Sequence, residues 1–232
     1  MFRAIVLSAV VAGIIGGIVA TAAQSLRVTP LIREAETFEA AARRSPDEGA
    51  VSGHNDDHGQ HGESAWTPGG TTETIAATAG ANTLAGVGFA LLLTAAMALH
   101  RRAGWYVGFL WGFGGFASFT LAPAAGLPPE LPGMATADLF DRQVWWIGTA
   151  VATAIGLGLI FLVRRLAWAA LGAVIILAPH LIGAPRAAGP AAGLPNELIV
   201  EFGVASLATN LLFWSVLGIA AGILYQKLHA TD

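Results

Sequence analysis

The chain has 232 residues, of which 55% are hydrophobic and only 12% are charged, and its formal net charge is −3. This balance excludes the basic surface by which proteins usually bind nucleic acids, and the absence of cysteine excludes a thiolate metal site. Lys227 is the only lysine, so there is no G-x-x-x-x-G-K-[ST] phosphate-binding loop. A mean hydropathy of +0.64 and repeated long apolar runs predict an integral membrane protein.

The first predicted element is a transmembrane helix within residues 1–23, whose apolar span covers residues 4–23. Gly13 and Gly17 lie about one helical turn apart, which favours close contact with another helix. Residues 20–22 resemble a signal-peptidase site, but the apolar run is long for a signal peptide. We therefore expect a retained helix rather than a cleaved leader.

A long polar segment follows at residues 24–77. Glu34, Glu36 and Glu39 predict a short amphipathic helix near its start. We expect this segment to be a loop outside the membrane.

Residues 54–63, called the His-rich arm below, concentrate imidazole and carboxylate groups, which divalent first-row metal ions accept as ligands. Gly59 and Gly62 oppose a stable helix, so we predict a flexible arm that wraps an ion. The alternative is a solvated linker that binds metal only adventitiously. The candidate ligands of the arm are His54, Asp56, Asp57, His58, His61 and Glu63.

Residues 78–232 are predicted to form a membrane domain of five further helices. The fold class is therefore an all-α membrane bundle of about six transmembrane helices with a long loop after the first. The fifth span of the chain is short and contains Pro179, which interrupts helical hydrogen bonding. The five further spans cover residues 78–99, 105–123, 144–163, 167–183 and 200–225.

Basic residues near the predicted helix ends indicate the orientation. With both termini in the cytoplasm, the short outer loops hold only Arg142 and Arg186, and every acidic residue except Asp232 lies outside. An acidic outer face attracts cations, and the His-rich arm lies on that face. The basic residues on the inner side are then Arg3, Arg101, Arg102, Arg164, Arg165 and Lys227.

Two sequence patterns recur in the membrane domain. RRAGW at residues 101–105 returns as RRLAW at 164–168, and AAGLPPEL at 124–131 returns as AAGLPNEL at 191–198. These patterns indicate two hairpins of the same orientation, covering residues 101–163 and 164–226. The alternative is convergence, because proline and glutamate are common at the starts of helices.

Ionisable residues at membrane depth are candidates for function. His180, beside Pro179 at the outer end of the fifth span, and Glu201, at the outer start of the sixth, are the candidate metal ligands of the membrane domain. Asn82 and Pro123 lie at the same predicted level, which suggests a vestibule below the arm. The alternatives are a hydrogen bond between helices for Asn82, a packing role for His180 and an interfacial position for Glu201.

The tryptophans of the membrane domain are interpreted as anchors at the membrane surface. They do not suggest a cofactor site, no haem-binding histidine pair is placed at one depth, and no Gly-x-Ser-x-Gly nucleophile motif occurs. We therefore predict that the protein is not an enzyme. The tryptophans concerned are Trp105, Trp111, Trp145, Trp146, Trp168 and Trp214.

Five segments together resemble the CbtA family of probable cobalt transporter subunits. They are TPLIxxAETFE at residues 29–39, WTP at 66–68 after the His-rich arm, LAPAAGLPPELPG at 121–133, RQVWW at 142–146 and PHLIGAP at 179–185. The resemblance implies a bacterial inner-membrane protein linked to cobalt supply for cobalamin synthesis. It also implies a small one-helix partner, CbtB, with histidines of its own.

The sequence thus predicts a subunit of a divalent transition-metal uptake transporter that captures the ion on the arm and passes it to the membrane domain. Co²⁺ is favoured through the resemblance, with Ni²⁺ and Zn²⁺ as alternatives, and no permanently bound cofactor is expected. Membrane lipids, the CbtB-like subunit and a second copy of the chain are the candidate partners. The competing hypothesis is a membrane metal sensor or assembly subunit that transports nothing.

Overall fold

The computed structural model describes residues 2–44, 71–163, 165–187 and 193–230. All regular structure in these ranges is helical, which confirms the all-α prediction. The His-rich arm, with all six of its candidate ligands, lies outside the described residues, as do Arg164 and residues 188–192.

Eight α-helices and two π-helical segments make up the described part of the chain. The first π-helical segment, Gln24–Val28, joins α1 to α2, and the second, Ala117–Leu121, joins α4 to α5. The α-helices are α1 Phe2–Ala23, α2 Thr29–Arg44, α3 Thr71–His100, α4 Trp105–Phe116, α5 Ala122–Gly126, α6 Leu139–Leu162, α7 Leu166–Ile182 and α8 Asn196–His229.

Five helical stretches among the described residues are long and apolar enough to cross a membrane. The predicted fifth span corresponds to α7, which is apolar but has only 17 residues, at the short end of about 17–25 residues for a transmembrane helix. The count of six spans therefore stays a prediction. The five stretches are Phe2–Ala41, Thr72–His100, Trp105–Gly126, Leu139–Leu162 and Asn196–His229.

Both π-helical segments end two residues before a proline. The amide of Thr29, before Pro30, donates to the carbonyl of Gln24, and that of Ala122, before Pro123, donates to the carbonyl of Ala117. A proline cannot donate to the preceding turn, so widening that turn lets the helix continue past it. The first span therefore runs on into the amphipathic helix α2, and the third continues beyond Pro123 to the end of α5.

Glycines set the close contacts between α1 and α3. A Cβ atom on Gly17 would lie 2.6 Å from the Cα of Thr83, and one on Gly13 would overlap Val87. Lipid supplies no hydrophobic drive for helix association, so small residues that let backbones touch decide which helices pack together. The close approach predicted from Gly13 and Gly17 is confirmed.

The two predicted hairpins pack crosswise. The first contains α4 and α6 and the second contains α7 and α8, yet α4 packs on α8 and α6 packs on α7. Each interface again meets at glycines: a Cβ on Gly218 of α8 would lie 2.8 Å from the Cα of Gly112, and one on Gly172 of α7 would lie 2.6 Å from the carbonyl oxygen of Gly156. Each hairpin thus packs its first helix against the second helix of the other, which is the pairing expected of two equivalent hairpins. Duplication itself stays a prediction.

The side of the bundle that carries α2 has its own apolar cluster, called the α2 cluster below. It joins α2 to the two repeated Gly-Leu-Pro-x-Glu-Leu segments, and the equivalent leucines Leu131 and Leu198 are both buried in it. Burial of this face fixes α2 against the membrane domain. The buried members are Leu31, Ala35, Leu131, Leu194, Leu198 and Phe202.

Candidate functional site

The six candidate ligands of the arm lie outside the described residues, so their role stays a prediction. Among the residues described, no group of three or more His, Cys, Asp or Glu side chains is placed to hold a metal ion. His180 and Glu201 therefore do not form a complete ligand set by themselves. Any site that uses either of them needs ligands from elsewhere.

His180 lies in the last turn of α7, on the α2 side of the bundle. Its half-buried imidazole meets the Trp145 indole of α6 edge to face, with the ring centroids 5.8 Å apart at an interplanar angle of 75°. Within the described ranges the His180 ring makes no hydrogen bond. Neither ring nitrogen is therefore held by a hydrogen bond from the described part of the chain.

Pro179 takes part in the same contact through its backbone. Its carbonyl oxygen accepts a hydrogen bond from the Gly183 amide at 3.0 Å and a second from Nε1 of Trp145 at 3.3 Å. Gly183 has a φ of 92°, a left-handed conformation that glycine adopts without strain and that ends the helix. The end of α7 is thus held both by its own turn and by α6.

Gly126 makes room for the Trp145 ring. A Cβ atom on this glycine, at the end of α5, would lie 2.6 Å from Cζ2 of Trp145 and 3.1 Å from Cβ of Ala184. The indole and Ala184, which follows α7, therefore both lie against the end of α5. We call Gly126, Trp145, Pro179, His180 and Ala184 the Trp145–His180 site.

An ion pair holds the start of α6 one turn before Trp145. Nη2 of Arg142 donates to Oε2 of Glu130 at 2.5 Å, with the two side chains 30% and 18% exposed. Asp138 caps the same helix by accepting hydrogen bonds from the amides of Phe140 and Asp141. The sequence did not predict that Glu130 and Arg142 pair, although both lie in the segments that carry the family resemblance.

Glu201 is exposed on the first turns of α8. It shares a shallow groove with Asn196, Glu197, Val200 and Val204, all from this one helix. The structure places it on an open face near the α2 side rather than in an enclosed cavity. Its role as a metal ligand stays a prediction.

Asn82 performs the packing role that the sequence left open. Its amide nitrogen donates to Oγ1 of Thr21 at 3.0 Å and to Oε1 of Gln24 at 2.8 Å. These bonds tie α3 to the end of α1 and to the first π-helical segment. The other vestibule candidate, Pro123, is fully buried.

Two of the tryptophans interpreted as surface anchors make contacts between the hairpins. Trp214 is 2% exposed and donates from Nε1 to Oγ1 of Thr120 at 3.3 Å, and Trp145 bonds to Pro179 as described above. Trp214 lies in the middle of the predicted span 200–225, too deep for the membrane surface. That predicted depth already indicated an internal position for Trp214. The sequence carried no such indication for Trp145, which lies near the start of a helix.

One comparison with known proteins covers nearly the whole chain. The family model described as a probable cobalt transporter subunit (CbtA) matches residues 2–226. No curated protein and no solved structure matches significantly. The resemblance found in the sequence is thereby confirmed.

Proposed function

The chain belongs to the CbtA family of probable cobalt transporter subunits, and on this premise we propose that it takes up Co²⁺ as part of a bacterial inner-membrane transporter. The observation that carries the proposal is the family match over residues 2–226, on a bundle with five helices of membrane-spanning length. The family's description is of a transporter subunit, not of an enzyme.

The proposed mechanism is capture followed by handover. His54, Asp56, Asp57, His58, His61 and Glu63 of the arm bind the ion and exchange it quickly. Open carboxylate and imidazole ligands suit delivery better than a closed cage does. His180 and Glu201 then receive the ion.

The chain path supports this sequence of events. The arm belongs to the segment that connects α2 to α3, so the end of α2 and the start of α3 lie on the same side of the membrane. Helices alternate in direction across a membrane, so the end of α7 with His180 and the start of α8 with Glu201 lie on that side too. The arm, which captures the ion, and the groups that receive it, His180 and Glu201, therefore face the same compartment. We propose that this compartment is the extracytoplasmic one and that both termini lie in the cytoplasm.

A cysteine introduced at Ser52 tests this orientation. It is expected to react with a membrane-impermeant thiol reagent in intact spheroplasts, because the parent chain has no other cysteine to compete. Labelling that needs lysis would put the arm in the cytoplasm and end the capture mechanism.

A partner subunit is part of the proposal, since the family name describes a subunit. A small one-helix protein with histidines of its own, such as CbtB, would complete the ligand set that the described residues lack. Lipid covers the remaining apolar surface.

Metal flux separates transport from sensing. Purified protein is reconstituted into liposomes, alone and with the one-helix partner, and Co²⁺ entry is followed with an entrapped metal-sensitive dye. We expect entry to saturate with Co²⁺ and to exceed that of protein-free liposomes. Metal binding without entry in either preparation would favour the sensor or assembly role.

A further inference from the structure

We propose that Trp145 is a positioning residue that holds the His180 imidazole ready for the metal ion. This inference rests on the proposed role of His180 as a receiving ligand. No sequence motif predicts this role for Trp145. The argument comes from the contacts at the Trp145–His180 site.

The end of α7 needs an external support. Pro179 has no amide hydrogen, so the last turn lacks one of its usual backbone hydrogen bonds. The chain then leaves the helix at Gly183. The bond from Nε1 of Trp145 to the Pro179 carbonyl fastens this weakened turn, and therefore the backbone of His180, to α6.

The same indole restricts the imidazole ring. Metal-binding histidines are usually oriented by a hydrogen bond on the second ring nitrogen. The His180 ring has no such bond among the described residues, but it packs edge to face against Trp145. Edge-to-face packing of this kind favours one orientation of the imidazole ring over the others.

Trp145 is itself held in place. Gly126 leaves the slot that its ring fills, and the ion pair of Arg142 with Glu130 fixes α6 one turn earlier. An indole restrained on both sides transmits its position to the imidazole. A freely rotating surface anchor could not do this.

Trp214 provides the matched control. Its Nε1 also donates a hydrogen bond of 3.3 Å between the hairpins, to Oγ1 of Thr120. Its ring neighbours are Phe89, Phe119 and Phe213, with no histidine among them. Trp214→Phe therefore removes the same kind of bond without touching a proposed ligand.

The first measurement is equilibrium Co²⁺ binding by calorimetry on the complex of the one-helix partner with the full chain carrying His54→Ala, His58→Ala and His61→Ala. The triple substitution reduces binding by the arm, and the signal of the partner alone is subtracted. In this background we expect Trp145→Phe to weaken binding about tenfold, the lower end of the loss caused by removing groups that orient metal ligands. Trp214→Phe should change it less than about twofold, and His180→Ala should remove it. A merely structural defect would lower the number of binding sites per chain and leave the Kd of the remaining sites unchanged.

Co²⁺ entry into proteoliposomes is measured in parallel. Equal Kd values for Trp145→Phe and Trp214→Phe, with binding still lost in His180→Ala, would overturn the positioning role and leave the proposed function intact. Binding that survives His180→Ala would overturn both the positioning role and the handover to His180. Binding that follows our expectation without any flux would support Trp145 as a positioning residue and reject transport.

Discussion

The regions around Trp145 and Trp214 are built alike and surrounded differently. Each indole packs over a glycine, Gly126 or Gly115, and each donates a 3.3 Å hydrogen bond to the neighbouring hairpin. Trp214 is buried in contact with phenylalanine rings, whereas Trp145 is half-buried beside the imidazole of His180. The same kind of contact thus lies within the packed core in one interface and beside the proposed ligand His180 in the other.

The position of each interface in the bundle explains the difference. α8 packs against α1, α3 and α4, so Trp214 is surrounded by helices, whereas the packing of α7 is almost entirely against α6. A peripheral pair leaves room for an ion to reach a side chain. A central helix does not, because every vacant volume there costs packing energy.

The largest expected effect comes from breaking the central interface. Gly218→Leu places a side chain against the Gly108 and Gly112 backbone, which cannot move aside. We expect little folded protein, measured by fluorescence-detected size exclusion. Gly203→Leu is the control, since a Cβ there meets no atom within 4 Å; an equal loss in both variants would contradict the assignment of the effect to this interface.

Replacing the imidazole of His180 tests whether this side chain acts as a metal ligand. His180→Ala is expected to reduce Co²⁺ entry by at least about tenfold even at saturating metal, since losing a ligand costs more than losing a group that only orients one. His180→Gln keeps a hydrogen-bonding side chain but is a poor ligand for a transition metal, so it should fail in the same way. A glutamine variant that transports normally beside a misfolded alanine variant would make His180 a packing residue.

Fold stability is expected to depend more on Trp214 than on Trp145, the reverse of the order expected for Co²⁺ binding. Trp214→Ala removes a fully buried ring and is expected to destabilise the fold by about 3–5 kcal/mol, whereas Trp145→Ala, at a half-buried position, should cost clearly less. Thermal unfolding in detergent, followed by size exclusion, compares them. Equal shifts of Tm would mean that both regions are structural.

The smallest effect is expected at the arm, which we propose captures the ion for the Trp145–His180 site. Replacing His54, His58 and His61 together by alanine should reduce Co²⁺-dependent growth by a fewfold at limiting cobalt and not at all when cobalt is abundant, because capture only raises the local ion concentration. Growth across a cobalt dilution series measures this. Unchanged growth at every concentration would identify the arm as a linker.

Sequence alone determined the class of the protein, several local features and its family. Helix length and apolar content are local properties, so membrane-spanning helices could be recognised. The spacing of Gly13 and Gly17 likewise predicted a close contact between helices. The resemblance rested on linear motifs and needed no structure. The position of Pro123 was visible too, but the π-helical turn that carries the helix past it was not.

Only the tertiary structure decided which helices meet. Many glycines could have formed helix contacts, and lipid solvates every apolar face, so the sequence carried no preference for the crosswise pairs α4 with α8 and α6 with α7. The partners of Trp145 and Trp214 follow from that pairing, because Pro179 and Thr120 are remote in sequence from the indoles that bond to them. His180 was a candidate from its residue type, its predicted membrane depth and its position beside Pro179. Its contact with Trp145 exists only because α6 and α7 pack together.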